Sequence, residues 1–282
     1  MEVQALPKNR LIRGIYLMAR RFLRHNVGQQ SAALAFYLLF MLFPFLIFIS
    51  ALLGLLQLDV AGILRALGEL LPQSIVELVG MYLTYVGQNP SPHLLVFGLV
   101  FSIYFPMRAT NSLMRSVRTA YHLGPPRGAV GHMLKSLLYT AVLIVTIALT
   151  LTLMTVGDRL LVLAQNHLRL PRIVAETWAR LRFPAAGAAG FFALFFLYAL
   201  SQDQLQPWRN IWPGTLAALT AWMALSWLYA FYVDHFANYS LLYGSIGAVM
   251  ALLIWLNMSA MAFIMGAELN GTMISLRKDK GA

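Results

Sequence analysis

The chain has 282 residues, 60% hydrophobic and 11% charged, with a net charge of +11 and no cysteine. Soluble domains carry about 25% charged residues, so a water-soluble globule is excluded, and the apolar surplus calls for lipid as solvent. Disulfide scaffolds, zinc ribbons and thiol nucleophiles are excluded by count.

Residues 1–30 read as an amphipathic N-terminal segment. Leu11, Ile12, Ile15, Ala19, Phe22 and Leu23 recur at helical spacing among arginines, which predicts a helix over 8–24 lying on the cytoplasmic leaflet. The apolar run that follows is longer than a signal-peptide core, and the segment is expected to stay attached.

Crossing a hydrocarbon core of about 30 Å takes about 20 apolar residues. Charge-free runs predict helical spans near 31–57, 93–118, 136–157, 184–201, 211–233 and 244–272. Backbone groups cannot stay unpaired in lipid, and the runs lack a barrel strand's alternation, so α-helices are the expected form. Pro44 interrupts the first span and Pro106 the second, each freeing an upstream carbonyl. Between spans, residues 60–86 (divided by Pro72) and 158–182 (interrupted by Pro171) read as amphipathic interfacial segments. The connection Asp234–Tyr239 separates the last two spans, and 276–282 is a basic tail.

Six spans put both termini on one side. That side collects 15 basic residues against Glu2, Asp203 and Asp279, whereas the opposite side balances six against six. By the positive-inside rule both termini are cytoplasmic. The basic excess then reflects topology and anionic headgroups. No recognition motif accompanies it, so no nucleic-acid partner is expected.

The six histidines (His25, His93, His122, His132, His167 and His235) fall at helix ends or in connections and read as solvated headgroup contacts. No HExxH, Walker or GxGxxG pattern is present, so neither a metal site nor a cofactor nor catalysis is expected. Arg108 and Glu268 lie inside spans at matching depths, and an ionised group there needs a partner or water. They either pair, joining the second and sixth helices, or snorkel separately. Asn111 and Asn270 could complete that cluster, and Asn257 reads as an interhelical hydrogen-bonding residue.

Several motifs stand out: Ala32-Ala33-Leu34-Ala35-Phe36-Tyr37 with Phe43-Pro44, Trp208-Arg209 with Pro213-Gly214, and Tyr243-Gly244-Ser245-Ile246-Gly247-Ala248. Trp255 and Gly266-Ala267-Glu268-Leu269-Asn270 complete the set. Taken together they resemble the YihY/BrkB family of bacterial inner-membrane proteins, some of which bore a ribonuclease BN label. The resemblance spans roughly residues 25–275. It implies a six-helix protein of the bacterial inner membrane with cytoplasmic termini and carries no settled activity. The expected fold is therefore an all-α membrane protein, a six-transmembrane-helix bundle with amphipathic interfacial helices.

The expected function is a transporter or flippase-like protein for an anionic, amphiphilic envelope molecule such as a lipid. Arg108 and Glu268 would gate, and Pro44 and Pro106 would hinge. The alternative is a non-catalytic scaffold for envelope assembly, working as a homo-oligomer or with envelope partner proteins. Ribonuclease activity is not expected.

Overall fold

Charge-free apolar runs become long helices in a computed structural model of the chain, which describes residues 10–56, 64, 76–77, 80–81, 92–124, 128, 130–146, 149–150, 172–202, 207–236 and 245–278. No strand occurs among the described residues. The helices are α1 (Arg10–Arg24), α2 (Val27–Leu56), α3 (Pro92–Ala120), α4 (Val130–Thr146), α5 (Arg172–Leu200), α6 (Trp212–Phe236) and α7 (Ser245–Lys278). A 3₁₀ turn, Trp208–Asn210, precedes α6.

Among the described residues, five stretches are long and apolar enough to cross a membrane: Val27–Phe48, Pro92–Ala120, Phe183–Leu200, Trp212–Val233 and Val249–Arg277. Their apolar side chains are largely uncovered; only 6% of the most apolar window of Trp212–Val233 is buried. Surfaces that expose Phe43, Phe192, Trp227 and Ile254 in this way suit hydrocarbon and not water. Of the span expected at 136–157, α4 covers the part up to Thr146; residues 151–157 lie outside the described residues.

Several helix boundaries differ from expectation. Helix α5 starts at Arg172, so residues 172–182, read as part of an interfacial segment, are its first turns. Pro184 is tolerated inside it because the carbonyl it frees belongs to Arg180, an exposed residue before the apolar stretch, where water can pair that group. Helix α7 runs to Lys278 and absorbs the start of the tail. Pro44 and Pro106, expected to kink their spans, lie inside α2 and α3, which continue past them. The segment 60–86 lies almost entirely outside the described residues, as do 158–171, Tyr243 and Gly244.

The chain divides into two units. One holds Tyr37–Arg108 and Leu143–Ala189. There α2 and α3 touch closely: a Cβ on Gly98 would sit 2.6 Å from the Phe48 nitrogen. In the same helices Phe40 and Phe101 each pack a tilted ring against Phe105, with centroids 5.9 Å apart.

The other unit holds Met1–Phe36, Ala109–Val142 and Gly190–Ala282. It holds the start of α2, the end of α3, most of α4, the end of α5 and all of α6 and α7. Helices α6 and α7 form its tightest pair. A Cβ on Gly214 would lie 2.1 Å from the Gly266 oxygen, and one on Gly266 would lie 2.5 Å from Ala218 Cβ, so small residues let these backbones meet. Further along, Trp222 Nε1 donates to Ser259 Oγ and Trp255 Nε1 to Ser226 Oγ, both at 3.1 Å. This reciprocal pairing satisfies two indole N–H groups that lipid could not.

Candidate functional site

At the gathered helix ends, basic side chains turn inward to cap carbonyls. The last four C=O groups of a helix lack intrahelical donors and carry partial negative charge, so a cation there is stabilising. Arg118 Nη1 donates to Ser201 O at 3.0 Å and Lys135 Nζ to Gln202 O at 3.1 Å, closing the end of α5. Arg21 Nη1 donates to Ala120 O at 3.0 Å, the last residue of α3.

Arg21 does more than cap. It is 8% exposed, and Nη1 also reaches Glu268 Oε2 at 3.3 Å. Its Nη2 donates to Ser275 Oγ at 2.9 Å and to Gly271 O at 3.4 Å. Glu268, on α7, is 1% exposed, and its other oxygen accepts from His25 Nδ1 at 2.5 Å. A buried carboxylate is tolerable when it has an opposite charge and hydrogen-bond donors; here Arg21 supplies the charge and each oxygen accepts one bond.

Two left-handed turns place these groups. Asn26 (φ 51°) ends α1 with its N–H on Leu23 O, which sets His25 and Arg21 toward α7. His122 (φ 55°) occupies the αL position of a Schellman turn after α3, with His122 N on Thr119 O and Leu123 N on Arg118 O. The His122 and His25 rings meet edge to face at 5.6 Å. Arg21 Nη2 lies 3.0 Å from His122 Nε2. A guanidinium only donates, so Nε2 must hold a lone pair and the ring must be neutral with its proton on Nδ1. Burial and, next, the charges of Arg21 and His25 hold the His122 pKa below its usual 6.5, with Glu268 opposing.

A cleft of about 600 Å³ opens beside this network. His122, Gly271 and Ser275, three groups that contact Arg21, line it, together with Tyr121, Gln202, Asn210 and Arg277. Burial raises the Tyr121 pKa, so its phenol stays protonated and can donate to Asn210 O, 3.5 Å away.

Glu268 and Arg108 were expected either to pair or to snorkel separately; within its own unit Glu268 is held by Arg21 and His25. Arg108 belongs to the other unit, is exposed, and sits 5.7 and 5.8 Å from the Tyr37 and Tyr104 ring centroids, a cation–π arrangement. Asn270 joins α7 to the start of α6 instead of joining a charge cluster: Gly214 N donates to its Oδ1 at 2.7 Å, and its Nδ2 donates to Ile211 O at 2.8 Å. The buried Oδ1 atoms of Asn111 and Asn257 have no hydrogen-bond partner among the described residues, so the interhelical bond expected of Asn257 Oδ1 is not seen there. Ser245 and Gly247 form the first turn of α7. His25 is not a solvated headgroup contact, since its side chain is 9% exposed and bonded to Glu268. Sequence reasoning missed Arg21, His25 and His122. Their only signal was position at helix ends, which many other residues share.

Among the described residues, no group of three or more His, Cys, Asp or Glu side chains converges as a metal site would require. The model of the family "Virulence factor BrkB" matches residues 18–282. A ribonuclease-like protein, YfkH of Bacillus subtilis, is 30% identical over 258 residues, 92% of this chain and 94% of that protein. A UPF0761 membrane protein of Xanthomonas axonopodis pv. citri is 28% identical over 90 residues, 32% of this chain and 21% of that one. No solved structure matches the chain. With its long apolar helices and a family match over nearly its whole length, the chain is a multi-pass membrane protein belonging to the BrkB virulence-factor family.

Proposed function

We propose that this protein is a transporter or flippase-like protein of the bacterial inner membrane, moving an anionic, amphiphilic envelope molecule such as a lipid, with both termini in the cytoplasm. The observation that carries this reading is the cleft at the gathered helix ends, whose wall contains the groups that hold Arg21 against Glu268. An anionic headgroup entering the cleft competes for Arg21 Nη2 with Ser275 Oγ and the lone pair of His122 Nε2. Drawing Arg21 outward weakens its bonds to Ala120 O and Glu268, and so loosens α1 from the end of α3 and from α7. The carboxylate thus sets how much binding energy a ligand must supply to shift the helices. No covalent step is involved, and the ribonuclease-like name of the Bacillus relative is not transferred.

Reconstitution into liposomes with fluorescent anionic phospholipid tests the proposal. Wild type should equilibrate label between leaflets, and Glu268→Gln, which weakens the hold on Arg21, should speed it. Purified protein that moves nothing and copurifies with envelope proteins would favour the alternative, a non-catalytic scaffold. Reporter tags at both chain ends should read as cytoplasmic.

A further inference from the structure

The Trp208-Arg209 and Pro213-Gly214 motifs take no part in the cleft chemistry above. They build a second concavity. The geometry points to a headgroup site for an anionic phospholipid in a groove of about 730 Å³, lined by Trp208, Arg209, Trp212, Pro213, Met273 and Arg277.

The groove is apolar along its wall and cationic at its rim. Trp208 and Trp212 are 65% and 40% exposed at the entry to a membrane-spanning helix, where an indole finds both hydrocarbon and headgroup neighbours. Arg209 and Arg277 supply two guanidiniums. Arg277 Nη1 is held by Asn210 Oδ1 at 2.7 Å, which orients its fork and leaves Nη2 and Nε as donors. Counting Asp203 and Asp279 against Arg209, Arg277, Lys278 and Lys280, the local sequence keeps a charge of +2.

The floor is rigid. Ile211 is 1% exposed, and its carbonyl and the Gly214 N–H are both tied to Asn270, so the 3₁₀ turn and the start of α6 cannot slide on α7. A phosphodiester between the two guanidiniums, with its acyl chains along Trp212 and Met273, satisfies both chemistries at once. A soluble phosphate would use only the rim. The volume is in the range of small-molecule sites, about 300–1,000 Å³.

This inference requires that the chain sit in a membrane; it does not require transport. Native mass spectrometry of the full-length protein in detergent, titrated with phosphatidylglycerol or phosphatidylcholine, tests it. Wild type should retain phosphatidylglycerol in preference to phosphatidylcholine, and millimolar inorganic phosphate should not displace it. Arg209→Gln should weaken phosphatidylglycerol retention about fivefold, the worth of one cation at a headgroup, and leave phosphatidylcholine unchanged. Arg209→Ala should do the same and carries the test if Arg209→Gln fails to fold; Arg277, which also lines the first cleft, is left intact. Equal retention of the two lipids, displacement by phosphate, or unchanged retention in the folded variants would each overturn the site. Loss of lipid movement with retention intact would count against the transport reading alone.

Discussion

Arg21 on the first helix and Glu268 on the last, 247 residues apart in sequence, form a buried ion pair at 3.3 Å. Three carbonyl, hydroxyl and imidazole groups around the same guanidinium come from α7 and from the turn after α3. One side chain thereby ties three segments of the chain at a common end.

Removing one member of such a pair strands the other without charge compensation. Arg21→Met should destabilise the detergent-solubilised protein by about 3–5 kcal/mol, the usual cost of breaking a buried pair. Glu268→Gln, which keeps the shape and one acceptor, should cost less. The double variant should be more stable than the sum of the singles implies, because no charge is left stranded. Thermal melts of the four proteins check this; strict additivity would show that the two side chains are not coupled.

Stability should fall on acidification because His122 is held neutral. The unfolded chain takes up a proton near pH 6.5, whereas the folded chain resists until its lowered pKa is reached. Proton uptake therefore favours unfolding as pH drops through 6.5, and the loss stops growing below the folded pKa. Arg21, Arg24, His25 and Glu268 all face this ring, so the contribution is isolated by difference. Melting temperature measured from pH 7.5 down to 5 should fall less steeply in His122→Gln than in wild type.

Close approach of α6 and α7 depends on two glycines. Gly214→Ala or Gly266→Ala puts a methyl within 2.6 Å of facing atoms, including backbone. Each should cost about 1–3 kcal/mol or more, since the helices must separate. Gly28→Ala meets nothing within 4 Å and should be neutral or stabilising, by up to about 1 kcal/mol, as a better residue in the first turn of α2. Comparing the melts of the three variants separates helix contact from helix propensity.

Two intramembrane asparagines should respond oppositely. Asn270→Ala leaves the Gly214 N–H buried and unpaired, costing about 1–3 kcal/mol, while Ile211 O keeps its bonds from Thr215 N and Thr215 Oγ1. Asn257 has a buried amide oxygen with no partner among the described residues, so Asn257→Leu should be neutral or stabilising. Chemical denaturation in mixed micelles distinguishes these outcomes, and a large loss in Asn257→Leu would reveal a bond from its amide to a group outside the described residues.

Hydropathy and charge by themselves determined the solvent and the approximate span positions. That part follows from one energetic rule, the cost of charge and of unpaired backbone in hydrocarbon, which acts along the membrane normal and is readable residue by residue. The rule is blind to direction around a helix. Nothing in the charge pattern pointed Arg21 at Glu268: on α1 the arginine is buried while Ile12, Ile15 and Leu23 stay exposed, which hydropathy alone does not order. The inward placement of His122 rests on a Schellman turn with histidine where glycine is usual, so no composition signal announced it. Depth in the membrane was therefore legible in the sequence, and lateral partnership was not, because it depends on helix rotation and on turns whose geometry only tertiary packing selects.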